Sequence, residues 1–212
     1  MKIRIDPGDV IVEMLSIVVA ILLALAVNNW QQNVKQQRDL RVNVTNIVNE
    51  LAFNQRQLAG VLPRHEREAA AIRKELAADL GTHEQLSLDG FYYLFKRVAP
   101  RGIGVAHLQQ AAWQIAQTDP SFAIMPPDER LLLARLYTEQ TFLTQIYERL
   151  LTHIPAAQEP SYFPNLVALS LDFADANVAE QELRKAYAVM IPRLRKAYGV
   201  PAGGTPTSFV QD

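Results

Sequence analysis

The chain has 212 residues, with 21 Lys and Arg against 22 Asp and Glu, a formal net charge of −1 and no cysteine. That balance argues against a general nucleic-acid binder, which carries a basic excess, and the missing thiol excludes a disulfide framework and cysteine chemistry. The length beyond the first apolar stretch suits one domain with a real core.

Val10 to Val27 is an apolar run broken only by Glu13 and Ser16, with Trp30 at its far edge. As a helix it rises ~27 Å, about the hydrocarbon thickness of a bilayer, and a Trp there suits the headgroup interface. The stretch predicts a retained membrane span with nearly all the mass on one side. Its rival is a cleaved export signal, with Lys2 and Arg4 as the basic start and Ala24-Leu25-Ala26 as the cleavage site. The retained span is favoured, because Asp6, Asp9 and Glu13 cancel the charge an export signal needs and the helical pattern continues past Val27. Lys2 and Arg4 on one side nearly balance Lys35, Arg38 and Arg41 on the other. The lean is toward a short inner tail and an outer domain.

Glu13, Ser16, Ala20, Ala24 and Asn28 recur every three or four residues and so share one helix face. Small residues let a second helix approach, and polar ones hydrogen-bond across the contact. The expectation is self-association or a partner helix; the plainer alternative is that alanine is common in spans. A carboxylate inside a membrane is costly and points to function, such as a proton relay. Glu13 lies about one turn inside the edge, so an interfacial or packing role is favoured. An acid near the start of a lone span is similar to the small subunits of proton-driven motors, but those end in α/β modules.

Beyond Trp30, apolar residues keep a helical spacing through Val34, Val44, Val48, Leu51, Leu58 and Leu62, then His65, Ala69, Ile72, Leu76 and Leu80. Gln37, Arg41 and Gln55 interrupt the seam, making it weaker than a leucine zipper. Pro63 is expected to kink or divide this stalk, and Gly81 to stop it. The stripe is expected to pack on later helices of the same chain in preference to a second copy.

The remainder reads as helical. Thr82 with Gln85 forms a capping box before Phe91, Leu94, Phe95 and Val98. Pro100 to Gly104 is a loop, and Val105, Leu108, Ala112 and Ile115 predict a helix stopped by Asp119-Pro120. Pro126-Pro127-Asp128-Glu129 is a helix start, with proline and acids in the first turn. It leads into Leu132, Leu136, Leu143, Ile146, Leu150 and Ile154. A helix near Pro164 to Ala176 is followed by another, capped by Asn177 and Glu180, kinked at Pro192 and ended by Gly199.

The N-terminal pattern of Glu13, an apolar stretch to Val27 and Asn28-Asn29-Trp30 resembles a family of uncharacterised bacterial single-span membrane proteins. A second match, Ala112-Trp113 through Ala116, Met125, Leu136-Tyr137 and Gln140, is similar to the middle of those proteins. The two stretches touch about a third of the chain and leave out the tail beyond Tyr198; the basic leader of such proteins is reduced here to Lys2 and Arg4. The resemblance implies a bacterial single-span membrane protein with a helical distal domain; the expected placement in the inner membrane with that domain periplasmic comes from the charge lean above. It supplies no catalytic residue. Trp113 and Tyr137 read first as core anchors, with a ring tip on a polar partner; a ligand groove is the lesser alternative.

No reactive constellation is legible. His65, His83, His107 and His153 are isolated, and neither His65-Glu66 nor His83-Glu84 has the second histidine that a zinc helix needs. Glu66/Glu68 and Asp172/Asp175 read as acid pairs on solvated faces, leaving open a convergence of two histidines with Asp172 or Asp175. The expectation is an all-α protein: a tail and span over 1–30, a stalk over 31–81, a helical bundle packed on it over 82–199 and a flexible tail over 200–212. It is expected to be a non-enzymatic assembly component without cofactor, metal or small-molecule substrate. Its expected partners are the lipid bilayer and either itself or a membrane protein, met through Glu13, Ser16, Ala20, Ala24, Asn28 and Trp30. The rivals are an ion- or proton-conducting subunit using Glu13, a secreted helical binding domain and a hydrolase hidden in the distal helices.

Overall fold

A computed structural model describes residues 7–79, 93, 95–153 and 162–201. Among them the protein is all-helical: α1 (Pro7–Asp79), α2 (Ala111–Thr118), a 3-10 turn (Pro120–Ile124), α3 (Pro127–His153) and α4 (Tyr162–Tyr198). Its first element is one long helix with an apolar N-terminal part.

At 73 residues α1 is about 110 Å long. No glycine or proline interrupts it from Val10 to Ala59, and Pro63 lies inside it without dividing it. Pro63 and Ala59, whose carbonyl the proline ring displaces from bonding, are both exposed, while Leu58, Leu62 and His65 are buried on the other side. Burial therefore holds the helix together through the position where local propensity would break it. Val44, Leu51, Leu58, His65 and Ile72, seven residues apart, form the centre of its buried stripe, each 1% exposed or less. Val34 stands outside this stripe and is exposed.

α4 runs antiparallel to α1. Glu180 meets His65, Gln181 donates to Glu66, and Arg41 donates to the Gly199 carbonyl at 2.8 Å. α3 runs parallel to α1, with Tyr137 against Glu50 and Gln140 against Asn54. The three pack around a shared core that includes Ile47, Leu133, Leu143, Ile146, Leu150, Leu169, Phe173, Leu183, Tyr187 and Leu194. Residues 40–43 of α1, the 3-10 turn, the start of α3 and the end of α4 thus gather at the end of the core nearest the apolar part of α1.

Two expected boundaries differ. Residues 103–110 are not helical; α2 begins only at Ala111, and Ile115, expected on its buried face, is exposed while Trp113 and Ala116 are buried. α4 is continuous through Asn177 and Glu180, so these do not cap a separate helix. Other boundaries agree. α3 starts at Pro127 with Asp128 and Glu129 in its first turn. α4 ends at Gly199, which takes a left-handed φ of 62°. The Val200 amide then donates to the Arg195 carbonyl at 3.0 Å, closing a Schellman turn, and Val200 is buried. Gly81, the Thr82/Gln85 box, Phe91, Leu94, Ile154 and the tail from Ala202 lie outside the described residues.

Candidate functional site

Two regions of α1 carry polar or apolar groups in unusual places. The first is its N-terminal part. From Met14 to Lys35 every side chain is exposed, and the first buried residue is Leu40. Ten large apolar residues between Met14 and Val27 lie open, and Trp30 is 66% exposed. Ser16, Ala20, Ala24 and Asn28 fall on one exposed face, while Glu13 is helical with its side chain outside the described set. Within the described residues the chain covers this stretch with none of its own helices.

The second region is a buried polar seam where Ala99–Gln110 crosses the helices as irregular backbone. Buried amides and carbonyls need partners, and polar side chains of the long helices supply them. Asn54 bonds Gln109 in both directions, its Nδ2 donating to the carbonyl at 2.7 Å and its Oδ1 accepting the amide at 2.8 Å. Gln140 Nε2 donates to the same carbonyl at 2.8 Å, while Gln140 Oε1 accepts from Asn54 and from the Tyr187 hydroxyl. Glu50 accepts the Ala112 amide at 2.8 Å and the Trp113 amide at 3.4 Å. A carboxylate at these free N–H groups also meets the positive end of the helix dipole. α2 thus takes its cap from α1, its own N-cap residue Gln110 making no side-chain bond. The Tyr137 hydroxyl donates to Glu50 at 2.7 Å, and its ring stacks on Trp113 at 4.9 Å. Trp113 and Tyr137 are therefore core anchors, with the Tyr137 hydroxyl in use on Glu50.

Farther along α1, His65 donates from Nδ1 to Glu180 Oε1 at 2.5 Å and from Nε2 to the Gly104 carbonyl. The Tyr147 hydroxyl donates to the same Glu180 oxygen at 2.7 Å. Burial disfavours the imidazolium, but the Glu180 hydrogen bond and charge, the Gly104 carbonyl and Glu68 outweigh it and raise the His65 pKa. Two acceptors on the two ring nitrogens fit a doubly protonated ring. Tyr137 and Tyr147 are pushed far above the ordinary tyrosine range, by burial first and then by Glu50 and Glu180 respectively. Both phenols remain donors at neutral pH. Gly104 lies so close to α1 that a Cβ there would meet the Arg64 guanidinium at 2.7 Å.

Glu50, Asn54 and Gln140 are occupied with backbone and with one another, whereas Glu180 Oε2, Glu68 Oε2 and Arg64 Nη2 are buried without a hydrogen-bond partner. The sequence reading missed Glu50, Asn54 and Glu180 as a set. Their signal is a run of polar residues on the buried side of an amphipathic helix, with Asn54 and Glu50 falling beside Leu51 and Leu58. The acid pairs also differ from expectation: Glu68 and Asp172 are buried, Glu68 against Arg64 at 2.8 Å and Asp172 against Arg149 at 3.2 Å. Arg149 also reaches Asp175 at 3.6 Å. Among the described residues no group of three His, Asp or Glu side chains is placed to hold a metal ion. Comparison with known protein families, with curated proteins and with solved structures returns no match.

Proposed function

We propose that the protein is a single-pass membrane-anchored assembly or interaction component, with its helical bundle held beside the bilayer on the outgoing part of α1. The observation carrying this reading is the change of environment along one uninterrupted helix. Its apolar N-terminal part is wholly exposed, whereas the part from Leu40 onward is the spine of the core. Exposing ten large apolar side chains to water is unfavourable by on the order of 10–20 kcal/mol, which hydrocarbon surroundings remove. The continuity of α1 past Ala26 into the core supports retention of the segment over cleavage. The Ser16, Ala20, Ala24 and Asn28 face is the contact through which copies, or a partner span, associate in the inner membrane, with the domain on the periplasmic side.

The test is cross-linking in native membranes after alkaline carbonate washing. The intact chain should stay with the vesicles, and Ala20→Leu with Ala24→Leu should change the cross-linked copy number or the co-purifying partners. Release by carbonate overturns the anchor. Unchanged cross-links in the double variant overturn the small-residue face.

A further inference from the structure

The end of the core nearest the apolar part of α1 is distinctly basic. Segments 31–43, 119–130 and 193–201 meet there and bring seven Lys and Arg side chains against four carboxylates, in a chain whose net charge is −1. Two of those carboxylates are engaged: Glu129 accepts from the Tyr198 hydroxyl at 2.7 Å and pairs with Arg193 at 3.7 Å, and Asp119 accepts the Ser121 amide at 2.8 Å. Lys35, Arg38, Arg41 and Lys196 are exposed. Arg38 and Arg41 also line a shallow pocket of about 220 Å³ with Val42, Thr45 and Asn46. Arg41 is steadied there by its bond to the Gly199 carbonyl, and the Thr45 hydroxyl by its bond to the Arg41 carbonyl. Two cations, a hydroxyl, an amide and one apolar side chain line this open pocket, whose surface is mostly apolar and comes largely from side-chain stems, with the cationic heads at its rim.

Position along α1 says which anion this is. Lys35 lies about 8 Å beyond Trp30 along the helix axis and Arg41 about 17 Å, while the polar layer of a bilayer takes about 5–8 Å per side. Helical side chains lean toward the N-terminus of their helix, so Lys35 and Arg38 reach back toward that layer, while Arg41 is held on the Gly199 carbonyl behind them. We propose that this basic collar, centred on the Arg38–Arg41 pocket, binds the phosphates of anionic phospholipids in the bilayer that α1 enters. The proposal rests on the membrane-anchor reading and adds the lipid class that the domain selects.

The full chain is reconstituted into nanodiscs of phosphatidylcholine with 30% phosphatidylglycerol, and electron paramagnetic resonance compares spin-labelled forms of the two lipids at the protein surface. A surface cation favours anionic lipid by on the order of fivefold, so the wild type should select phosphatidylglycerol by about that factor. Lys35→Gln with Arg38→Gln, which leaves the Arg41–Gly199 bond intact, should bring selection close to one, as should 0.5 M salt. Arg73→Gln with Lys74→Gln, at the far end of α1, should leave it unchanged. Equal association of both lipids with the wild type, or selection surviving in the Lys35/Arg38 variant, overturns the proposal. So does loss of selection to 10 mM inorganic phosphate, which identifies a site for free anions. Failure of the anchor itself is read separately, as protein that never enters the nanodisc.

Discussion

His65 is fully buried and bonded through both ring nitrogens. Its ring is edge-on to Tyr147 at 5.9 Å and to Phe173 at 5.7 Å, and the groups that bear on its charge are Glu180, Tyr147, the Gly104 carbonyl and Glu68. Because its folded pKa is raised, the pair contributes stability fully below the unfolded value of ~6.5. That contribution disappears as pH rises through the folded pKa. Chemical unfolding of the detergent-solubilised protein between pH 6 and 9 should show stability falling with pH, and His65→Gln should flatten the slope. An identical slope in the variant would count against the imidazolium. Removing one partner of a buried ion pair leaves the other uncompensated, so Glu180→Gln should cost about 3–5 kcal/mol. At Gly199 the left-handed φ sets a smaller penalty: Gly199→Ala should lose about 1 kcal/mol, read from the same unfolding curves.

At the scale of elements, α1 shows how burial overrides local preference. Gly60 lies within it on an exposed turn, and a Cβ there meets nothing within 4 Å. Gly60→Ala should therefore stabilise the protein by about 0.5–1 kcal/mol, and a loss of stability would show that the turn needs glycine for some other reason. The same helix explains what was legible in sequence. The apolar run, the Pro127 start and the Gly199 stop are local signals and correspond to the observed elements. The crossing segment was not legible. Val105 and Leu108 have helical spacing, but this backbone finds its partners on Asn54, Gln140 and His65, 31 to 55 residues away. Glu180 misleads for a similar reason. Beside Asn177 it has the spacing of a cap, yet its carboxylate belongs to a histidine 115 residues distant.

For the whole molecule, the division of labour along α1 decides what can be removed. Among the described residues, every member of the core cluster lies at or beyond Leu40. Lys35 acts on the domain through its charge, as a minor contributor, after the Ser121 and Asn43 hydrogen bonds, to the lowered pKa of Asp119 outside the core. Residues 14–30 therefore carry apolar surface and no core packing, whereas the polar turns from Gln31 to Asp39 solvate the start of the spine. A chain beginning at Gln31 should dissolve without detergent and keep the thermal midpoint of the full chain to within about 3 °C, because it keeps every described core residue. Circular dichroism and analytical ultracentrifugation check both halves of that expectation. A shortened chain that aggregates or melts much earlier would mean that the N-terminal part of α1 packs on the domain, and the exposure that motivates the membrane reading would lose its meaning. Extending the deletion through Val48 removes Leu40, Val44, Ile47 and Val48, all buried to 2% exposure or less. It should abolish cooperative melting, because each lost side chain alone is worth about 2–5 kcal/mol against a total stability of 5–15 kcal/mol.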